Sequence, residues 1–129
     1  MLFHKFDSQE ERSEYGGSAF LEMQFCRLPA GTGIGTLVAV DSMQHWLNDS
    51  LYIYDESLFY EKYSRIFDCG VYNNGRTGPV DVYGINYYGP EQIDLLLARI
   101  QETEPEDWQV LTEWLKAARA YNGFYILGI

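Results

Sequence analysis

The histidines and cysteines are the residues with which this chain could do metal or nucleophilic chemistry. His45 and Asp49 stand four residues apart on a predicted short helix, a spacing that would bring both side chains to one ion. Such a site needs a third ligand, and the sequence identifies none. Cys26 or Cys69 could pair with His4 or His45 as a nucleophile and its base, but no family signature surrounds either cysteine. We therefore expect no catalytic residue, no metal and no cofactor.

A glycine-rich segment and the carboxylates offer two further kinds of chemistry. Residues 31–35 read GTGIG, but the lysine of a phosphate-binding loop is missing and a β-branched run follows. This pattern favours a flexible connection. The many acids leave a glycosidase-type carboxylate pair open as an alternative, although no pair stands out from its spacing.

The charge balance indicates which partners suit the chain. Its 129 residues include 9 Lys and Arg against 19 Asp and Glu, a net charge of −10. Nucleic acids and anionic membranes are bound by clustered basic residues, and here these are few and scattered. A basic protein is the partner that this charge favours, and solubility alone is the alternative explanation.

The acids are distributed unevenly. No basic residue occurs between Arg27 and Lys62 or between Arg76 and Arg99. Aromatic residues are frequent, and tyrosine suits protein interfaces because it joins a large rigid ring to a polar tip. The predicted partner-binding residues are Asp55, Glu56 and Glu61 on one helix, Glu102, Glu104, Glu106 and Asp107 at a junction of two others, and Tyr87 and Tyr88 beside them. These groups form either one acidic surface or separate solvated faces.

Targeting signals and thiol chemistry bear on the compartment. The N-terminal segment MLFHKFDSQEERSEY has no long apolar run, and no stretch approaches the ~20 apolar residues of a membrane span. The sequence thus predicts a cytoplasmic protein. Cys26 and Cys69 have apolar neighbours, which favours two buried, reduced thiols over a single disulfide.

Hydropathy patterns and turn residues predict the elements of the first 88 residues. Alternating apolar residues predict a half-buried strand over 18–28, after a break at Gly16-Gly17. The other predicted elements are an edge strand or loose end over 1–6, a loop or helical turn over 8–15, a glycine-rich turn over 29–35, a buried strand over 36–40, a helix from Asp41 or Ser42 to Asn48, a strand over 51–54, a helix from its N-cap Asp55 to Phe67, a type I′ hairpin at Asn73-Asn74-Gly75, and a strand over 80–88.

The C-terminal third has the clearest pattern. One helix is predicted to start at Gly89-Pro90 and a second at Pro105, where proline is favoured in a first turn. The second helix carries an apolar stripe of Trp108, Leu111, Trp114, Leu115 and Ala118. Asn122-Gly123 ends it, and a buried strand over 124–129 closes the chain. Residues 1–129 are thus predicted to form one α+β domain, with a mixed or antiparallel sheet of about five strands packed by three to four helices.

The segment VYGINYYGPEQIDLLLARI, residues 82–100, runs from an aromatic strand through Gly-Pro into an amphipathic helix. Within a small, acidic, tyrosine-rich chain, it resembles bacterial immunity proteins that neutralise polymorphic or contact-dependent inhibition toxins. The resemblance covers the C-terminal half. It implies a cytosolic inhibitor that binds one cognate toxin, often a basic nuclease domain, and blocks its active site.

Three functions are compatible with these features of the sequence. The first is an immunity-type module that binds a basic toxin, and the second is another non-catalytic interaction or adaptor protein. The third is a small enzyme that uses carboxylates or a Cys/His pair. A deep pocket that holds His45 or Cys69 with a carboxylate would favour the enzyme.

Overall fold

A computed structural model describes residues 1–16, 20–44 and 46–128. Within these ranges seven strands form one antiparallel sheet. They are β1 (Phe3–His4), β2 (Leu21–Phe25), β3 (Leu51–Ile53), β4 (Gly70–Val71), β5 (Thr77–Gly78), β6 (Ile85–Tyr88) and β7 (Phe124–Leu127), in the spatial order β1-β3-β2-β7-β6-β4-β5.

The described residues also form five α-helices, which lie on both faces of the sheet. They are α1 (Gln9–Gly16), α2 (Ile34–Leu37), α3 (Glu56–Tyr63), α4 (Ile93–Thr103) and α5 (Trp108–Ala118). The main core joins α3, α4 and α5 to one face. On the opposite face, Leu37 of α2 packs with Tyr87 and Tyr125, and Tyr15 of α1 contacts Phe6 and Phe20.

Strand β2 shows how the sequence pattern becomes two packed faces. Leu21, Met23 and Phe25 point into the core beneath the three large helices. Glu22 and Gln24 point to the opposite face, yet they too are buried. The predicted alternation is therefore confirmed for the described residues of the strand, but the half-buried character is wrong, because the segment that follows the strand folds back over its polar face. Ala19, at the predicted start of this strand, lies outside the described residues, as do Gly17 and Ser18.

The two C-terminal helices and the final strand are confirmed. Leu111, Trp114 and Leu115 of α5 are buried against the sheet, while Trp108 is half-buried at the margin of the core. The sheet-facing stripe arises because these positions recur on one side of a helix. Strand β7 is buried through Ile126, and Ile129 lies outside the described residues.

Local pattern was misleading between residues 34 and 48. The predicted buried strand over 36–40 is wrong, because α2 occupies residues 34–37 and a short 3-10 turn follows at Val40–Ser42. The predicted helix from residue 41 to Asn48 is limited to that turn in the described residues. Thr36, Val38 and Val40 have β-branched side chains that favour strands, but this segment connects β2 to β3 and pairs with no strand in the described part of the chain.

The predicted hairpin is present, but its turn type differs. Strands β4 and β5 pair, and Tyr72 N donates to Arg76 O at 2.7 Å, which leaves the three residues 73–75 in the loop. Only Gly75 of this loop has a positive φ, of 84°, whereas a type I′ turn needs two such residues. The predicted strand over 80–88 is likewise shorter, because residues 81–84 form a turn before β6.

The α+β class is confirmed, with seven strands among the described residues where about five were predicted. The four longer strands match predicted segments, the predicted strand over 36–40 is absent, and the two-residue strands β1, β4 and β5 bring the number to seven. None of the described helices is long and apolar enough to cross a membrane.

Candidate protein-binding surface

Helix α3 carries the first predicted acidic group at the molecular surface. Asp55 caps the helix, and its Oδ1 accepts a hydrogen bond from Leu58 N at 3.0 Å. Phe59 and Tyr63 are buried against the sheet, so the opposite side of the helix faces solvent. The buried positions follow from an apolar spacing of four residues, which places both rings on one helical face.

A recess of about 350 Å³ lies between α3 and the turn that precedes β6. Glu56, Ser57 and Tyr60 line it from the helix, and Val82 and Tyr83 line it from the turn. Glu56 and Tyr60 share one helical face because they are four residues apart. Tyr60 is 47% exposed and Tyr83 is 75% exposed, so the recess is bordered by two solvent-accessible phenol rings.

The turn that presents Tyr83 is held by polar contacts. Asp81 Oδ1 accepts a hydrogen bond from Tyr83 N at 3.0 Å, and Asn86 Oδ1 accepts one from Asp81 N at 2.7 Å. Asn86 is fully buried, and its Nδ2 donates to the carbonyls of Asp81 and Ile126 at 2.9 Å each. Gly128 N donates to Gly84 O at 2.7 Å. One buried amide thereby ties the turn to β7.

The charges around the recess are not neutralised internally. Four ion pairs form among the described residues, and their acidic members are Asp49, Asp68, Asp94 and Glu113. The seven predicted partner-binding acids take part in none of these pairs. At Glu56, Oε2 is shielded from solvent and has no hydrogen-bond partner within the described part of the chain. Glu56 and Glu61 thus pair with no basic side chain among the described residues.

The second acidic group, between α4 and α5, is only partly a free surface. Glu102, Glu104 and Glu106 are exposed. Asp107 is half-buried, and its Oδ2 accepts hydrogen bonds from Leu2 N at 3.2 Å and Phe3 N at 3.0 Å, which anchors β1. The Asp107 carboxylate therefore has a structural role at the sheet edge.

The C-terminal end of α3 contacts the connection that carries the second acidic group. Tyr63 Oη donates to Glu106 O at 2.7 Å, which joins α3 to the connection between α4 and α5. Burial, and then the nearby negative charges of Asp107 and Glu106, raise the pKa of Tyr63. The structure therefore brings the ends of these elements together, although the recess itself belongs to α3 and the 81–84 turn.

The predicted contact tyrosines, Tyr87 and Tyr88, are wrong as surface residues. Tyr88 is fully buried and stacks on Phe124 at 4.9 Å between ring centroids. Tyr87 is 5% exposed, and its hydroxyl donates to Asn122 O at 2.7 Å. Both residues belong to a central strand that is covered on its two faces, and burial raises the pKa of each.

Tyr60 and Tyr83 are two exposed tyrosines that border the recess, and neither is among the predicted site residues. Tyr60 stands four residues after Glu56, a helical spacing that was available as a signal. Tyr83 lies within the aromatic segment 82–88, but its exposure depends on the turn that precedes β6.

The residues considered for nucleophilic chemistry lie in structural contacts. Cys26 and Cys69 are free thiols, as predicted, but only Cys26 is fully buried. Its Sγ donates to Tyr125 Oη at 3.5 Å, whereas the half-buried Cys69 Sγ donates to Gln92 Oε1 at 3.4 Å. Burial, and then the charge of Asp68, raise the pKa of Cys69, which reduces its nucleophilic thiolate form.

The histidine sites have no assembled ligand set in the described structure. His45 lies outside the described residues, so the metal pair and the Cys-His pair considered for it do too. Asp49, the other half of the metal pair, forms an ion pair with Arg27. His4 contacts the Tyr15 hydroxyl at 3.4 Å, and burial lowers its pKa. Among the described residues, no three His, Cys, Asp or Glu side chains come together as a metal site would require.

The glycine-rich segment leads into a helix of a single turn, not into the predicted strand. Gly31 has a φ of 90°, which only glycine adopts readily, and Gly33 precedes α2 without a side-chain cap.

No protein-family model, curated protein or solved structure matches this chain. The features that bear on function are the exposed acids of α3 and the recess beside this helix.

Proposed function

We propose that this protein is a non-catalytic binding module that captures a basic protein partner on the exposed side of α3, as an immunity protein captures a toxin domain. The observation that carries the proposal is the recess between Glu56, Tyr60 and Tyr83. It combines unpaired negative charge with two exposed tyrosine rings, which are the two features that a basic protein surface recognises.

Charge and aromatic contact supply different parts of such binding. Exposed carboxylates act over about a Debye length and accelerate the encounter with a positively charged partner. Tyrosine rings act at contact, where they exclude water and slow dissociation. The net charge of −10 strengthens the first effect for a basic protein and opposes binding to nucleic acid.

The first experiment identifies the partner and its activity. The tagged protein is expressed in its native cell, and the proteins that it retains are identified by mass spectrometry. An immunity role predicts a basic partner whose toxic activity falls as this protein is added. A basic partner without such activity would instead support the alternative, an adaptor that uses the same surface.

The second experiment measures association and dissociation rates across a salt series. In one variant Glu56→Lys and Glu61→Lys reverse two charges on α3. In the control, Glu10→Lys and Glu14→Lys make the same change in net charge on α1, across the sheet. We expect slower association and a flatter salt dependence for the α3 variant only, because steering depends on charges close to the interface. Equal effects of both variants, or no effect of either, would contradict the proposed surface.

A further variant tests the connection between α4 and α5. Glu102→Lys with Glu106→Lys reverses two exposed acids and leaves the structural Asp107 in place. If this group belongs to the same interface, association slows as it does for the α3 variant. An unchanged rate limits the interface to α3 and the 81–84 turn.

A further inference from the structure

We infer that the recess beside α3 receives one arginine side chain of the basic partner, an inference that rests on the proposed function. The recess offers a carboxylate and two aromatic rings at its border. A guanidinium group is attracted both to the faces of tyrosine rings and to carboxylate oxygens. A neutral side chain can pack against the rings, but it carries no charge to pair with the carboxylate.

The lining residues suit the different parts of an arginine side chain. Val82 is half-buried against the main core and offers an apolar wall to the methylene groups. Glu56 and Tyr60 are one helical turn apart, so the carboxylate and one ring lie on the same side of α3. Tyr83 comes from the separate 81–84 turn and closes the other side.

Glu56 supplies the negative charge at this place. Its Oε2 has no hydrogen-bond donor in the described structure and is also shielded from solvent. Glu56 as a residue is only half-buried, and partial burial strengthens its attraction for a cation in the adjoining recess relative to a fully solvated carboxylate. Guanidinium carries five N–H donors and loses less hydration than ammonium, which favours arginine over lysine.

The recess is held in shape before any ligand binds. The buried Asn86 amide fixes Asp81 through two hydrogen bonds, and Asp81 in turn accepts from Tyr83 N. On the other side, the buried Phe59 and Tyr63 hold α3 on the core. A preformed site spends less binding free energy on ordering its own groups.

The test uses small probes and the isolated protein. Nα-acetyl-arginine methylamide is titrated into the protein and followed by NMR signals of the Tyr60 and Tyr83 rings. Nα-acetyl-norleucine methylamide is the uncharged control, and the lysine analogue tests the choice between cations. We expect millimolar binding of the arginine probe, weaker binding of the lysine probe, and no saturable shift with norleucine.

Two matched variants locate the charge that matters. Glu56→Gln removes the carboxylate in the recess, and Glu61→Gln removes one on the same helix outside it. We expect Glu56→Gln to weaken arginine binding roughly tenfold, which corresponds to about 1.4 kcal/mol. We expect Glu61→Gln to change it less than twofold. Equal shifts with arginine and norleucine, or equal affinities in both variants, would overturn the inference.

The failure of this inference can be told apart from failure of the proposed function. If the arginine probe does not bind but charge reversal on α3 still slows association with the partner, the arginine site is wrong and the proposed function stands. If the probe binds in the recess but the partner's association and dissociation rates are unchanged in every α3 variant, the proposed function is wrong. The arginine site then remains as a property of the recess.

Discussion

Trp114 joins three parts of the molecule through one side chain. Its ring stacks on Phe25 of β2 at 4.2 Å and meets the Phe124 ring of β7 edge-on at 5.6 Å between centroids. Its Nε1 donates to Asp49 O at 2.9 Å, which satisfies the polar atom of a ring that is 2% exposed. The side chain thus holds α5 to two strands and to the segment before β3.

Trp114→Ala is expected to lower the free energy of unfolding by about 3–5 kcal/mol, because it leaves a large cavity and an unsatisfied carbonyl. Trp108→Ala is the matched control, since Trp108 lies on the same helix but is half-buried. It should cost clearly less. Urea unfolding of both variants checks this, and equal losses would show that burial is not the cause.

At the scale of elements, the connection between α4 and α5 is under backbone strain. Glu104 has a φ of 44° and Asp107 a φ of 59°, both in the left-handed region that disfavours residues with a side chain. At Asp107 this conformation is stabilised by the hydrogen bonds that its carboxylate accepts from the backbone of Leu2 and Phe3. Glu104 ends α4 with an exposed side chain and has no side-chain hydrogen bond in the described structure. The strain at Glu104 can therefore be relieved without loss of a contact.

Glu104→Gly is expected to raise the free energy of unfolding by about 1 kcal/mol, because glycine adopts this conformation freely. Glu102→Gly removes the same charge two residues earlier, inside α4, and should instead lower it by about 1 kcal/mol. Chemical denaturation of the pair gives both values. If the two variants shift stability in the same direction, the left-handed strain does not control this connection.

At the scale of the whole molecule, burial of tyrosine hydroxyls ties stability to alkaline pH. Burial raises the pKa of five tyrosines that are at most 5% exposed: Tyr52, Tyr63, Tyr87, Tyr88 and Tyr125. Several of their hydroxyls donate to backbone carbonyls, as Tyr125 Oη does to Leu37 O at 2.6 Å. Ionisation would remove that donor and place a charge in the core.

The sign of the pH dependence follows from these raised pKa values. Below about pH 10, the usual pKa of tyrosine, folded and unfolded chains both keep the phenolic protons, and the stabilisation is fully present. Above it, the unfolded chain releases protons that the folded chain retains. Each such tyrosine then lowers the free energy of unfolding by about 1.4 kcal/mol per pH unit.

We therefore expect stability to fall steeply between about pH 10 and 12. Urea unfolding across this range, with tyrosinate absorbance followed in parallel, checks the prediction. The ionisation of the buried tyrosines should coincide with unfolding. Tyr125→Phe should flatten the slope, because it removes one of the groups that resist ionisation. Ionisation of all eleven tyrosines in a protein that remains folded would contradict the argument.

Some elements of this fold could be predicted from local sequence pattern alone. The apolar stripe of α5, the Asp55 cap of α3 and the alternation of β2 each depend on positions only a few residues apart. The acidic character of α3 was also readable, since charge beside a buried helical stripe has to face solvent.

Tertiary structure decided the features that depend on distant segments. Tyr87 and Tyr88 have the composition of interface residues, but β4 and β7 flank their strand while Leu37 and Phe67 cover its two faces, so both are buried. The recess exists only because packing brings α3 beside the 81–84 turn, where the buried Asn86 fixes Asp81 and Asp81 accepts a hydrogen bond from Tyr83 N. Periodicity reports which side of an element is apolar, whereas the segments that cover each side are chosen by long-range packing, which no short window of sequence contains.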